Sequence, residues 1–177
     1  MKFMIASDIH GSARYCRLLK ERMEEEQPQK LILLGDLLYH GARNPLPEEY
    51  STLSVAEILN SVKDRLVCVR GNCDSEVDEM VLEFPIGAQY CMLPLGTRTL
   101  FFTHGHKIPA HLANGDVLFC GHFHVPAFEE REAYTYVNCG SVSIPKENSP
   151  HSYLVLEDKT LIWKNVITGE AFRTETL

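Results

Sequence analysis

The chain has 177 residues, 45% of them apolar, and a formal net charge of −7. That length allows one well-buried core and is tight for two, and the composition excludes a disordered or fibrous chain. The acidic balance argues against a nucleic-acid polymer as partner, which needs clustered cations, but not against a small phosphate ester at a metal site.

The N-terminal stretch MKFMIASDIHG is interrupted too early by Asp8 to form a secretory leader. No run approaches the ~20 apolar residues of a membrane span. No membrane association is expected, and a cytoplasmic location is the default. None of the six cysteines forms a CxxC pair, so a structural zinc knuckle is not expected. Cys68 and Cys120 sit in apolar runs and read as buried small hydrophobes.

Lys2 to Ser7 predicts a first strand that ends in Asp8-Ile9-His10-Gly11. Ser12 is placed to cap a helix running to about Glu26, with Tyr15, Leu18, Leu19 and Met23 on its buried face. Pro28 stops it. Leu31 to Leu34 is a second buried strand, ending in Gly35-Asp36. A right-handed β-α-β crossover would set the two strand ends side by side. Leu37 to Tyr50 reads as a loop. Ser51 to Val62 predicts a second helix with Leu53, Ala56, Ile58 and Leu59 on its apolar side. Arg65 to Val69 is a third strand, followed by Arg70-Gly71-Asn72-Cys73-Asp74.

The second half changes character. Gln89–Leu93 and Thr97–Phe102 predict a hairpin turning at Pro94-Leu95-Gly96. The latter strand ends in Thr103-His104-Gly105-His106. Val117–Cys120 is short and buried, ending in Gly121-His122-Phe123-His124. Ala127–Arg131 pairs with Tyr134–Asn138, and Ser152–Glu157 with Thr160–Val166 around Asp158-Lys159. Strands without long helices between them indicate a second, more antiparallel sheet packed on the first. One domain over residues 1–177 is expected.

The chemistry-bearing residues are Asp8, His10, Asp36, Asn72, His104, His122 and His124. Each follows an apolar run, and glycines stand beside nearly all of them. Burying so many carboxylates and imidazoles together is costly without a cation. Oxygen and nitrogen donors without thiolate suit manganese, iron or zinc. Asp8 and His10, two apart on an extended segment, would project from one face, as would His122 and His124. His106, His40 and Arg43 are secondary candidates; Arg43 is placed to clamp a phosphate.

Asp8-Ile9-His10, Gly35-Asp36 with Gly41, Gly71-Asn72-Cys73-Asp74, His104-Gly105 and Gly121-His122-Phe123-His124 together resemble the five ordered motifs of the calcineurin-like metallophosphoesterase superfamily. Size and detail are most similar to its bacterial YfcE-type phosphodiesterases. The resemblance implies a four-layer α/β/β/α sandwich of two mixed sheets with flanking helices. It implies two divalent ions, manganese first, with zinc, iron or nickel as alternatives. Asp8, His10, Asp36 and His124 would hold one ion. Asp36, Asn72, His104 and His122 would hold the other, making Asp36 the bridge. The implied reaction is hydrolysis of a small phosphodiester by a metal-activated water or hydroxide. Phosphomonoesterase or nucleotidase is the alternative, and a retromer-subunit-like binding scaffold a more remote one. Self-association as a homodimer or homotetramer is also implied.

Cys73 departs from the family, which often has histidine there. A thiol of pKa about 8.5 offers no cationic donor, so leaving-group protonation is weakened. Asn72, Cys73, Asp74, His106 and Arg43 complete the expected catalytic set. Asp74 is expected to orient the turn or a ligand.

Overall fold

The computed structural model describes residues 1–177. The chain alternates strand and helix at first. β1 (Lys2–Ala6), α1 (Ala13–Glu26), β2 (Lys30–Leu33), α2 (Thr52–Asn60) and β3 (Leu66–Cys68) build the parallel half of one sheet. Strands then predominate: β4 (Tyr90–Leu95), β5 (Arg98–Thr103), β6 (Asp116–Cys120), β7 (Ala127–Glu130), β8 (Tyr134–Asn138), β9 (Ser152–Glu157), β10 (Thr160–Asn165) and β11 (Ala171–Thr176). The first sheet has the order β11-β10-β9-β1-β2-β3 and the second β4-β5-β6-β8-β7. No helix is long and apolar enough to cross a membrane.

Period-two alternation sorts the strand side chains into layers. Met4 and Ala6 of β1 face α1 and α2, whereas Ile5 faces the second sheet. Leu100, Phe102, Val117, Phe119 and Val137 fill the space between sheets, joined by fully buried Trp163. The Trp163 indole N–H donates to Asn138 O at 2.7 Å, satisfying its polar atom. Phe101, Leu118, Cys120 and Tyr136 point to the far side of the second sheet, where Leu112 from an irregular connection packs on them. That outer layer is coil, while helices cover the first sheet.

Several expectations are refined. The second sheet is mixed: β5, β6 and β8 run parallel, with β4 and β7 antiparallel at the edges. The β9–β10 hairpin belongs to the first sheet, with β9 antiparallel to β1. Pro94 lies inside β4 rather than in the turn, tolerable because an edge strand can leave a missing N–H on its open side. Leu53 is 66% exposed, and Val55, Ala56 and Leu59 form the buried face of α2. The strand Ala171–Thr176 extends the first sheet beyond the predicted hairpin.

Candidate metal centre

Five strands, parallel within their own sheets, deliver side chains to one edge of the stack. Asp8 and His10 follow β1, Asp36 follows β2, and Asn72 follows β3. His104 follows β5, and His122 and His124 follow β6. Asp8 Oδ1 lies 3.5 Å from His10 Nε2 and 3.2 Å from His124 Nε2. Asp36 Oδ2 lies 3.8 Å from His10 Nε2 and 3.3 Å from His104 Nε2. At the other end, His104 Nε2 is 3.0 Å from Asn72 Oδ1 and 3.2 Å from His122 Nδ1.

The first pair converges, with Asp8 Oδ1 and His10 Nε2 3.5 Å apart, while the second straddles the cluster. Asp8, His10, Asp36, His122 and His124 all have left-handed backbone, with φ of 59°, 48°, 54°, 66° and 63°. Alternation holds only within a strand, and these residues lie past the strand ends, where the chain turns. The members of the second pair therefore separate: His122 faces His104, while His124 faces Asp8 and His10. Such backbone at a non-glycine residue costs on the order of 1–3 kcal/mol and persists only where its surroundings enforce it.

The enforcing bonds are specific. Ser141 and Ser143 hydroxyls both donate to Asp8 O at 3.0 Å. Asp74 accepts from the backbone N–H of Asp36 at 2.9 Å, Leu37 at 2.8 Å and Gly71 at 2.7 Å. It therefore ties the loop after β2 to the loop after β3. Cys73 N–H donates to Asp36 Oδ1 at 2.7 Å. Gly71 is required here, because a Cβ on it would stand 2.1 Å from Asp36 Oδ1.

These donors fit cations. The Nδ1 atoms of His10, His104 and His124 each bond a backbone carbonyl, of Tyr39, Leu34 and Ile144. That fixes Nδ1 as the proton carrier of the neutral ring and turns the Nε2 lone pair inward. His10 and His124 present their Nε2 atoms to each other at 3.3 Å, and buried Asp8 Oδ1 has no hydrogen-bond partner. Ligand atoms of Asp8, His10 and His124, and of Asp8, Asp36 and His104, lie mutually within 4.8 Å. Separations near 3.0–3.8 Å compare with edges of about 3.0–3.4 Å for donors ~2.1 Å from one ion.

The electrostatics point the same way. Burial opposes charge on Asp8, yet His10, His124 and His104 hold its carboxyl well below the usual range. Burial likewise opposes charge on His104, but the Asp36 and Asp8 carboxylates raise its imidazole to about 9. The cluster calls for positive charge, supplied by protons or metal.

The cluster floors a cleft of ≈ 380 Å³, whose lining includes Asp36, Arg43, Asn72, Cys73, His122, His124 and Lys146. Burial and the adjacent Asp36 carboxylate push the Cys73 thiol up to about 12. Arg43 stands in this cleft as expected. His106 instead lines an adjoining cleft, its ring 5.4 Å from that of His104. His40 packs edge-on to Tyr39 and Tyr50 and lines neither cleft. The sequence reading missed Lys146, for which an exposed loop lysine gives no signal. It also missed Ser141 and Ser143, for which Gly-Ser-Val-Ser immediately after a strand was the available clue.

Two facing sheets whose parallel strands end in a shared nest of carboxylates and imidazoles define a metal-dependent phosphoester hydrolase. The chain belongs to the calcineurin-like phosphoesterase superfamily, whose domain model matches residues 1–160. It is 48% identical over 166 residues to the phosphodiesterase YfcE of Escherichia coli strain K12, covering 91% of this chain and 90% of that protein. A solved structure of the E. coli YfcE phosphoesterase superposes with a TM-score of 0.93 at 43% identity, covering 99% of each chain. Vacuolar Protein Sorting 29 of Cryptosporidium parvum shares the fold alone, with TM-score 0.62 at 14% identity, covering 99% of this chain and 98% of that one.

Proposed function

We propose that this chain hydrolyses small phosphodiesters using two divalent cations, and that residues 1–177 act as one catalytic domain. The observation that carries the reading is the inward-turned imidazole nitrogens and unbonded Asp8 oxygen on the floor of a polar cleft. Asp8, His10, Asp36 and His124 would hold one cation. Asp36, Asn72, His104 and His122 would hold the other. Bound divalent cations supply charge to the phosphoryl oxygens and make water a nucleophile near neutral pH. The nitrogen and oxygen donors suit manganese, iron, zinc or nickel, and the family resemblance puts manganese first.

The protein's share is placement. Asp36 presents one oxygen toward both His10 and His104, and Asp74 fixes the loops that carry Asp36 and Asn72. Arg43 and Lys146 stand in the cleft, where they meet anionic oxygens of the substrate. Cys73 offers a neutral thiol in the cleft and not the cationic donor that a histidine there would give a leaving group. Diesters with good leaving groups are therefore preferred over alkyl monoesters. Six free cysteines suit a reducing cytoplasm. Exposed Tyr39, Leu53, Val77 and Met80 support self-association as a homodimer or homotetramer.

The test is turnover of matched diesters and monoesters by metal-stripped protein reloaded separately with manganese, zinc and nickel. Diester turnover with at least one metal is expected. Absence of turnover with every metal and ester favours a binding scaffold.

A further inference from the structure

Asn72 lines two clefts. The first is the cleft over the metal centre. The second, of ≈ 370 Å³, is lined by Arg70, Gly71, Asn72, Asp74, Gln89, His106 and Lys107, with no apolar side chain. It opens beside the donors: the His106 ring is 5.4 Å from that of His104 and 6.2 Å from that of His122. Its walls are tied together. The buried Thr103 hydroxyl bridges the carbonyls of Gln89 at 3.2 Å and Lys107 at 3.0 Å, and Arg70 N–H donates to Ala88 O at 2.7 Å.

The cleft sets two cationic side chains, Arg70 and Lys107, against one carboxylate. Its one carboxylate, Asp74, is occupied by three backbone N–H groups. Arg70 Nε donates to Asp74 O at 3.2 Å. None of the ion pairs in the structure engages Arg70 or Lys107. Two cations without ion-pair partners in a polar, braced recess, within a chain of net charge −7, give that recess the chemistry to hold an anion.

We infer that this second cleft binds an anionic group, carboxylate or phosphate, on one ester arm of a diester whose phosphorus lies at the metal centre. The inference rests on the phosphodiesterase reading and narrows its substrate class. The two arms of a phosphodiester diverge from phosphorus, and Asn72 stands between the two recesses that receive them. A monoester leaves one recess empty. Arg70 and Lys107 are thus specificity-determining residues.

The experiment uses three diesters of the metal-loaded enzyme with a common p-nitrophenyl leaving group. The other arm is methyl, carboxyalkyl or phosphoalkyl. The carboxylate and phosphate arms should each raise kcat/KM about tenfold over methyl through KM, as a charge-assisted contact does. The stronger of the two identifies the preferred anion. Lys107→Gln should reduce that preference several-fold, and Lys107→Arg should retain it. A non-hydrolysable phosphonate bearing the preferred arm, titrated calorimetrically, should lose affinity by the same factor in Lys107→Gln. Turnover of all three esters at equal kcat/KM, or an undiminished preference in Lys107→Gln, would overturn the inference alone. Failure to hydrolyse any of the three would overturn the phosphodiesterase reading and the inference with it.

Discussion

Asp36 Oδ2 is 3.8 Å from His10 Nε2 and 3.3 Å from His104 Nε2, so one carboxylate faces both ends of the donor cluster. Asp36→Asn should therefore weaken occupancy at both cation positions and reduce turnover by about 10³-fold or more, the loss of charge removing several kcal/mol of transition-state stabilisation. Metal content by elemental analysis, read beside activity and far-ultraviolet dichroism, checks it; two tightly held ions with a normal rate would sink the bridging role. Cys73→His should fit, since Cys73 lines an open cleft, and should shift preference toward monoesters in paired assays. An unchanged mono-to-diester ratio counts against a leaving-group effect. Residue identities in this site were legible because each follows an apolar strand. Their directions were not, because left-handed backbone just past a strand end leaves no trace in hydropathy. Asp74 was legible as a positioning residue from its motif; Lys146 was not, since it reaches the cleft from a loop distant in sequence.

At the scale of elements, two latches matter. Asp74 takes three backbone N–H donors and joins the turns after β2 and β3. Asp74→Ala should destabilise the fold by roughly 2–4 kcal/mol, measured by urea unfolding, and lower activity through misplaced Asp36 and Asn72. The C-terminal end of α1 is tied to the first sheet through Glu26, which meets Lys2 at 2.8 Å, Lys164, and the Tyr153 hydroxyl at 3.2 Å. Burial pushes the Glu26 carboxyl up, but the two lysines prevail and hold it below its usual value. A carboxyl lowered in the folded state stabilises above the unfolded pKa, ~4.3. That contribution fades as pH falls through the lower folded value. Glu26→Gln should cost about 1 kcal/mol at pH 7. The difference from the parent in unfolding midpoints should shrink from about pH 5 downward, and a constant gap would contradict it. Most elements were readable from periodicity and capping. Ala171–Thr176 escaped because it is a polar edge strand: Phe172 is 41% exposed, and Arg173 pairs with Glu175 while lying over the Trp163 ring. No alternating buried face marks such a strand.

At the scale of the molecule, the two sheets share a core but meet at an edge crowded with acids and imidazoles. A cation bound there and not in the unfolded chain stabilises by mass action, about 2.7 kcal/mol at a hundredfold excess over Kd. Metal removal should lower the melting midpoint by about 5–10 °C for a chain this size; calorimetry with and without chelator is the measurement, and an unmoved midpoint would deny the cluster its role. The left-handed backbone at His122 (φ 66°) then sets stability against activity. His122→Gly should raise the melting midpoint of the metal-free protein by a few degrees while abolishing turnover. Stabilising libraries screened without an activity assay should therefore admit glycine here and yield durable but inactive chains.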